Sequence, residues 1–439
     1  MKIIKNTVLV VVFLSTLQVF SQEILTKKEA LKITLENNFG IKIANNNVEV
    51  AKNNTSMYNT GFLPTAAVSS GANYRRDNQD VTFQDGTSRS IDGAVTKSYN
   101  AALNVNYTIF DGLGRKYNYQ QLKETYNLSE LQAKETIENT YLQLFTTYFQ
   151  IARLSENTNN LSEALSISKR RFQRAKYQYD YGQTTKLEML NAEVDVNNDS
   201  ISFITAKQQL NNVKRGLNII IGIEKDVNYK VETDVDFIKM MSFDDLQQKT
   251  VANNAILKQN EQNIAISEFT IKINKSNYLP SLDLNTSYGW NKSENPATSF
   301  LAGATSNGLN AGLSLSWSLF DGGVTKTRVA NAKIALDSQQ ILLEQQKTTV
   351  QNTLKNTWEN YHNQLFIIGA QDKNVVTTQN NFDRTEERYK LGQVTSIEFR
   401  QAQINFINAK TALNNAKFDA KLIELQLLQL SGDILNVEF

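Results

Sequence analysis

The sequence predicts a mainly α protein with membrane β-strands. A helix–strand–strand–long helix–helix repeat occurs twice, and three chains close a 12-stranded β-barrel continuous with an α-helical barrel. Three observations predict this. Landmarks recur in one order: Phe62-Leu63-Pro64 returns as Tyr278-Leu279-Pro280, Phe110-Asp111-Gly112 as Phe320-Asp321-Gly322, Tyr181-Gly182-Gln183 as Leu391-Gly392-Gln393, and Gly222 as Gly432. The last three pairs share an offset of 210 residues and the proline pair sits at 216, a pattern that marks a duplicated architecture. Four segments alternate apolar and polar residues, and two long stretches lack helix breakers.

Taken in chain order, Lys2, Lys5, the apolar run Val8 to Leu14 and the site Val19-Phe20-Ser21 read as a secretory signal peptide over 1–21, cleaved ahead of Gln22. A first repeat is expected over 22–222, a linker over 223–240, a second repeat over 241–432 and a tail over 433–439. Residues 26–60 read as one helix, with Thr26 and Glu29 as a capping box; Ser242 and Asp245 repeat it. Pro64 and Pro280 end these helices and lead into strands. Leu103, Val105, Tyr107 and Ile109 alternate with Asn104, Asn106 and Thr108. Leu282, Leu284, Tyr288 and Trp290 form a second alternating set, Leu313, Leu315, Trp317 and Leu319 a third, and Ala66, Val68, Ala72 and Tyr74 a weaker fourth. Each strand is expected to run about 9–11 residues, enough to cross a membrane when tilted. Polar loops are expected at 76–95 and 293–309. Tyr107, Phe110, Trp290, Trp317 and Phe320 fall near or at strand ends, where aromatic girdles meet the lipid interface.

Asp111 and Asp321 then cap the long helices. Between 113 and 180 the only glycine is Gly114, and between 324 and 390 only Gly369; each helix spans about 100 Å. Ile137, Tyr141, Leu144, Tyr148 and Ile151 form one stripe and Leu142, Phe145, Phe149 and Ala152 a second. Leu161, Leu165, Phe172, Ala175 and Tyr179 continue a heptad-like seam, and Leu354, Trp358, Tyr361, Leu365 and Ile368 repeat it in the second half. Gly182 and Gly392 stop the long helices. Thr184 or Thr185, and Thr395 or Ser396, cap the next ones, over 185–221 and 395–431.

Composition excludes several classes. The chain has no cysteine, one histidine (His362) and a net charge of +2, which argues against thiol chemistry, a metal centre and nucleic-acid binding. No phosphate loop, nucleophile elbow or metal-ligand spacing points to an enzyme or a cofactor. Past the signal no apolar run is long enough for a membrane helix. A four-stranded sheet leaves unpaired edges in hydrocarbon, so the strands must close with other copies. Two chains give eight strands and a filled interior; three give twelve and a lumen. A coiled-coil scaffold that never meets a membrane is the rival reading, and it leaves the alternating strands without a purpose.

The segment Arg388-Tyr389-Lys390-Leu391-Gly392-Gln393-Val394-Thr395-Ser396-Ile397-Glu398-Phe399-Arg400-Gln401-Ala402-Gln403 resembles the tip signature of the TolC-like outer-membrane factors, the outer membrane efflux protein family. Tyr179 to Glu188, with Gly182, Gln183 and Thr184, is a weaker version. The resemblance implies a homotrimeric channel-tunnel in outer-membrane lipid of a Gram-negative-type cell, its helices crossing the periplasm. It also implies docking of a periplasmic adaptor (membrane fusion) protein and an inner-membrane RND or ABC pump at the helical tip, for efflux or type I secretion. Adaptor contact falls to Tyr179, Gly182, Gln183, Thr184, Arg388, Tyr389, Gly392, Gln393, Val394 and Thr395. In the family a tyrosine, an arginine and aspartates hold the tip shut. Tyr389 matches the tyrosine and Glu398 one acid, whereas Val394 stands at the arginine position and Gln401 at a second aspartate position. The constriction would then involve Glu188, Tyr389, Glu398 and Gln401, with Arg388 pairing to Glu188 or Glu398 in place of the family latch.

Overall fold

The computed structural model describes residues 24–224, 226–238 and 242–437; the expected signal peptide lies outside them. The elements run β1 (Ile24–Leu25), α1 (Lys27–Asn37), α2 (Phe39–Asn54), β2 (Thr65–Thr82), β3 (Ser88–Asp111), α3 (Gly114–Asp180), α4 (Lys186–Ile221), β4 (Lys230–Val231), α5 (Phe243–Asn253), α6 (Ala255–Ser276), β5 (Ser281–Glu294), β6 (Gly303–Ser316), α7 (Val324–Lys390) and α8 (Ser396–Leu430). Contacts divide the chain into two units. One holds the residues up to Asn45, Gln132–Leu257 and everything from Gln346 on; the other holds Asn46–Leu131 and Lys258–Gln345.

The second unit carries one antiparallel sheet in the order β2-β3-β5-β6. Its register puts apolar residues side by side: Val68, Leu103, Tyr288 and Leu309 form one row, and Tyr107, Leu284 and Leu313 another. Because side chains alternate with period two, a one-residue slip would turn this apolar face over. The opposite face is polar, with Thr108 donating to Asp283 at 2.7 Å and Asn104 to Ser69 at 3.1 Å. The strands are longer than expected, at 18, 24, 14 and 14 residues. The first hairpin loop shrinks accordingly to 83–87 and the second to 295–302. Polar composition had marked 76–95 and 293–309 as loop, but main-chain pairing carries on where the apolar alternation stops. Ile109, read as part of the alternation, falls in a bulge between Thr108 and Phe110, which leaves Phe110 opposite Leu282. Tyr107 and Phe110 lie at the end of β3, whereas Trp290 is inside β5 opposite Ala101 and Asn307. Trp317 and Phe320 lie just past β6, with the Trp317 indole donating to the Tyr278 carbonyl at 3.1 Å.

The Phe-Asp-Gly landmarks join sheet to long helix. Asp111 accepts from the Arg115 main chain and Asp321 from that of Thr325, each at 2.8 Å. Arg115 also donates to the Gly61 carbonyl at 2.8 Å and lies over the Phe62 and Tyr107 rings.

The first unit has a core of Leu144, Phe145, Tyr148, Phe149, Leu217, Tyr229 and Leu425, which includes most of both predicted α3 stripes. Tyr148 fixes the short parallel β1–β4 pair: its hydroxyl donates to the Leu25 carbonyl at 2.7 Å and accepts from the Glu232 main chain at 3.0 Å. Two buried lysines hold the segment that follows α4. Lys214 donates to the Val227 and Tyr229 carbonyls, and Lys421 to the Asp236 carbonyl and to Glu424.

The helix predicted over 26–60 and its repeat starting at Ser242 are each broken, at Asn38 and Asn254. Asn38 donates to the Ile220 carbonyl at 2.7 Å and accepts from the Ile41 main chain; Asn254 does the same with the Leu430 carbonyl and with Ile256 and Leu257. Each asparagine therefore ends one helix, starts the next and caps the last carbonyls of a distant one. Thr26 and Ser242 cap α1 and α5 as expected, but neither expected capping box closes: among the described residues Glu29 makes no return bond to the cap, and Asp245 accepts from the Ser242 hydroxyl instead of the cap main chain.

Gly222, at φ 71°, closes this arrangement: a Cβ there would stand 2.5 Å from the Asn37 carbonyl oxygen. Gly222→Ala is expected to lower stability by more than about 1 kcal/mol, from left-handed strain plus the clash. Gly216→Ala, in mid-helix with open space around it, should raise stability by about 1 kcal/mol. Thermal unfolding of the detergent-solubilised protein, followed by circular dichroism, checks both signs.

Candidate functional site

The predicted tip residues lie in two turns of identical construction. At each, a glycine in the left-handed region, Gly182 (φ 69°) or Gly392 (φ 72°), ends a long helix. The Gly182 amide donates to the Tyr179 carbonyl and that of Gln183 to Gln178; the Gly392 amide donates to Tyr389 and that of Gln393 to Arg388. This is the double hydrogen bond of a Schellman cap. Thr185 and Thr395, rather than Thr184 and Ser396, then cap the next helices. Thr184 donates to the Glu188 carboxylate at 2.7 Å instead.

A stack of aromatic rings holds α7 to α8, and a charge cluster joins the two helical hairpins, α3–α4 and α7–α8. Tyr389 stacks on Phe399 at 4.8 Å, Phe399 on Phe382 at 5.7 Å and Phe382 on Phe406 at 5.5 Å. Arg174 lies over the Tyr389 ring at 5.1 Å and donates to the Lys390 carbonyl at 2.8 Å. Behind the rings, Arg400 makes a two-pronged pair with Asp199, both bonds at 2.7 Å, and reaches Ser168 at 3.1 Å. Arg171, almost fully buried, pairs with Asp195, and Ser168 also donates to Asp199. Gln403 bonds the Ala164 carbonyl at 3.0 Å.

The electrostatics follow from these neighbours. Burial alone would raise the Asp199 carboxyl, but hydrogen bonds from Arg400 and Ser168 and the charges of Arg400 and Arg171 outweigh it and hold it below the ordinary value. Burial, then repulsion from Arg400, pulls the Arg171 guanidinium down to about 10, so it stays charged at neutral pH. Glu398 is held low by the main chain and hydroxyl of Thr395, with which it completes a capping box.

The four predicted constriction residues are therefore divided. Glu188 and Gln401 line one groove with Asp195, Ile397 and Arg400, between the starts of α4 and α8. Tyr389 is half-buried against α3, and Glu398 is occupied as a cap. Arg388 is exposed and, among the described residues, makes no ion pair with Glu188 or Glu398. The seam at this end of α3 is also displaced: Ala164, Ile167, Ser168, Arg171 and Ala175 are buried, while Leu161, Leu165 and Phe172 are only half-buried. Arg171 goes inside because Asp195 meets it there. Apart from Tyr389, the sequence reading missed the cluster. Its signals were the i, i+4 spacing of Asp195 and Asp199 on one face of α4, and the seven-residue spacings Phe382 to Tyr389 and Phe399 to Phe406 on facing helices.

Among the described residues no group of acidic, histidine or cysteine side chains could hold a metal, and no helix is long and apolar enough to cross a membrane.

Removing one partner of a part-buried charge cluster strands the others. Arg400→Ala is expected to cost about 3 kcal/mol, read as a fall in the thermal midpoint. Asp199 has a lowered folded-state pKa, so its stabilisation is complete above the unfolded carboxylate value of about 4 and is lost as pH falls through the folded one. The advantage of wild type over Asp199→Asn should thus be constant near neutrality and shrink below about pH 4.

A family model described as outer membrane efflux protein matches residues 30–222 and 246–433. Outer membrane protein TolC of Escherichia coli (strain K12) is 22% identical over 373 residues, covering 81% of this chain and 73% of TolC. Outer membrane efflux protein BepC of Brucella suis biovar 1 (strain 1330) is 29% identical over 189 residues, or 42% of this chain and 39% of BepC. The crystal structure of the Campylobacter jejuni CmeC outer membrane channel matches with a TM-score of 0.77 at 17% identity, over 93% of this chain and 85% of CmeC.

Proposed function

The chain belongs to the outer membrane efflux protein family, a channel protein of the outer membrane and not an enzyme, and from that premise we propose that three copies form one tunnel. The observation that carries this reading is the sheet. It has an apolar face in strict register and two unpaired edges, β2 and β6. Open edges in hydrocarbon cost several kcal/mol for each unpaired backbone group, and three such sheets joined edge to edge make a closed barrel of twelve strands with a lumen. The long helices would extend from it into the periplasm, with residues 22–222 and 241–432 as two copies of one unit joined by 223–240 and followed by the 433–439 tail.

In this reading the protein is a passive exit duct for efflux or type I secretion. The energy comes from an inner-membrane pump, of RND or ABC type, reached through a periplasmic adaptor. The adaptor meets the two glycine turns, Tyr179 to Thr184 and Arg388 to Thr395. Glu188 and Gln401 are the constriction residues whose side chains share a groove. Tyr389 and Glu398 contribute by fixing the shape of the turn.

The mass of the detergent-extracted particle, measured by light scattering corrected for detergent, tests the reading. Three chains per particle are expected. A monomer or dimer that needs no detergent would sink the tunnel.

A further inference from the structure

We infer that the last turns of α3 form a docking strip for a separate protein whose contacting helix is acidic. The inference rests on the proposed reading of the tip as the adaptor end. Arg170, Gln173, Arg174, Tyr177 and Tyr181 follow one another at steps of 3, 1, 3 and 4, which places them on one helix face, and with Gln183 they line a single shallow groove. Tyr177 is 57% exposed and Tyr181 80% exposed. Amphipathic aromatic rings beside arginines form the residue set that dominates binding at protein interfaces.

The charge of the strip selects the partner. No carboxylate lines the groove. Asp180 falls at its rim by helical phase, but Lys169 and Lys176 lie on that same rim. The helix C-terminus contributes about half a negative charge, against two full guanidinium charges. Both guanidiniums are held in place, Arg170 by Ser166 at 3.0 Å and Arg174 by the Lys390 carbonyl and the Tyr389 ring. Each uses few of its five N–H donors, so preset donors remain for carboxylates. The strip also runs past the helix end into the turn. A second copy lying alongside as a parallel rod would end at that level, whereas a partner arriving from beyond the tip can cover Tyr181 and Gln183 together.

The test replaces Tyr181, and separately Tyr177, by photoreactive benzoylphenylalanine in the full chain, irradiates intact cells and sequences the cross-linked peptide. The expected adduct is a peptide of another protein with two or more Asp or Glu within one helical turn of the attachment point. Its yield should fall about tenfold with Arg170→Glu and survive Arg170→Lys, as a charge-pair contact requires. An adduct within a second copy of this chain, no adduct, a partner peptide without acids, or a yield indifferent to Arg170→Glu would each overturn the inference. The same extract is weighed in detergent, so a particle that is not trimeric marks failure of the tunnel itself, whatever the adduct shows.

Discussion

Every main-chain N–H and C=O in this protein needs a partner, and that constraint organises the rest. In the sheet the partners are neighbouring strands, except along β2 and β6. Where the chain has no regular neighbour, side chains supply the missing partner. Asn38 and Asn254 reach the carbonyls of Ile220 and Leu430; Lys214 and Lys421 reach those of Val227, Tyr229 and Asp236. At Gly182 and Gly392 the left-handed backbone lets the helix close on itself. The duplicated landmarks are therefore solutions to one bonding problem met twice.

Much of this was legible in the sequence, because local bonding leaves local marks. Thr26, Ser242, Asp111, Asp321 and the two tip glycines act where their residue types said they would. The helix breaks were not read, since they depend on carbonyls about 180 residues away. Even so, the doubled asparagines, Asn37-Asn38 and Asn253-Asn254, echo at the proline-pair offset of 216 and were a visible clue. Strand lengths were underestimated because alternation reports a buried face and says nothing of pairing beyond it.

The tip shows the same division. Its turns were readable and its interior was not. Arg171 and Arg400 look like solvated helix residues until α4 brings Asp195 and Asp199 against them. Val394 and Gln401 carry no charge, and the two hairpins are fastened in the helix bodies. There the Arg400–Asp199 pair bridges them, largely withdrawn from water, while a stack of four rings holds α7 to α8.

The unpaired edges of β2 and β6 have a kinetic meaning. In a membrane a lone copy would carry two rows of backbone groups with neither water nor protein to satisfy them. If copies join as proposed, insertion and association are a single event whose rate rises steeply with the supply of chains. Under the proposed assembly, a chain that has not yet joined others has its apolar face uncovered and its edges open to mispairing with any free strand. The proposed assembly would then make the yield of finished channels fall more than in proportion to the supply of chains.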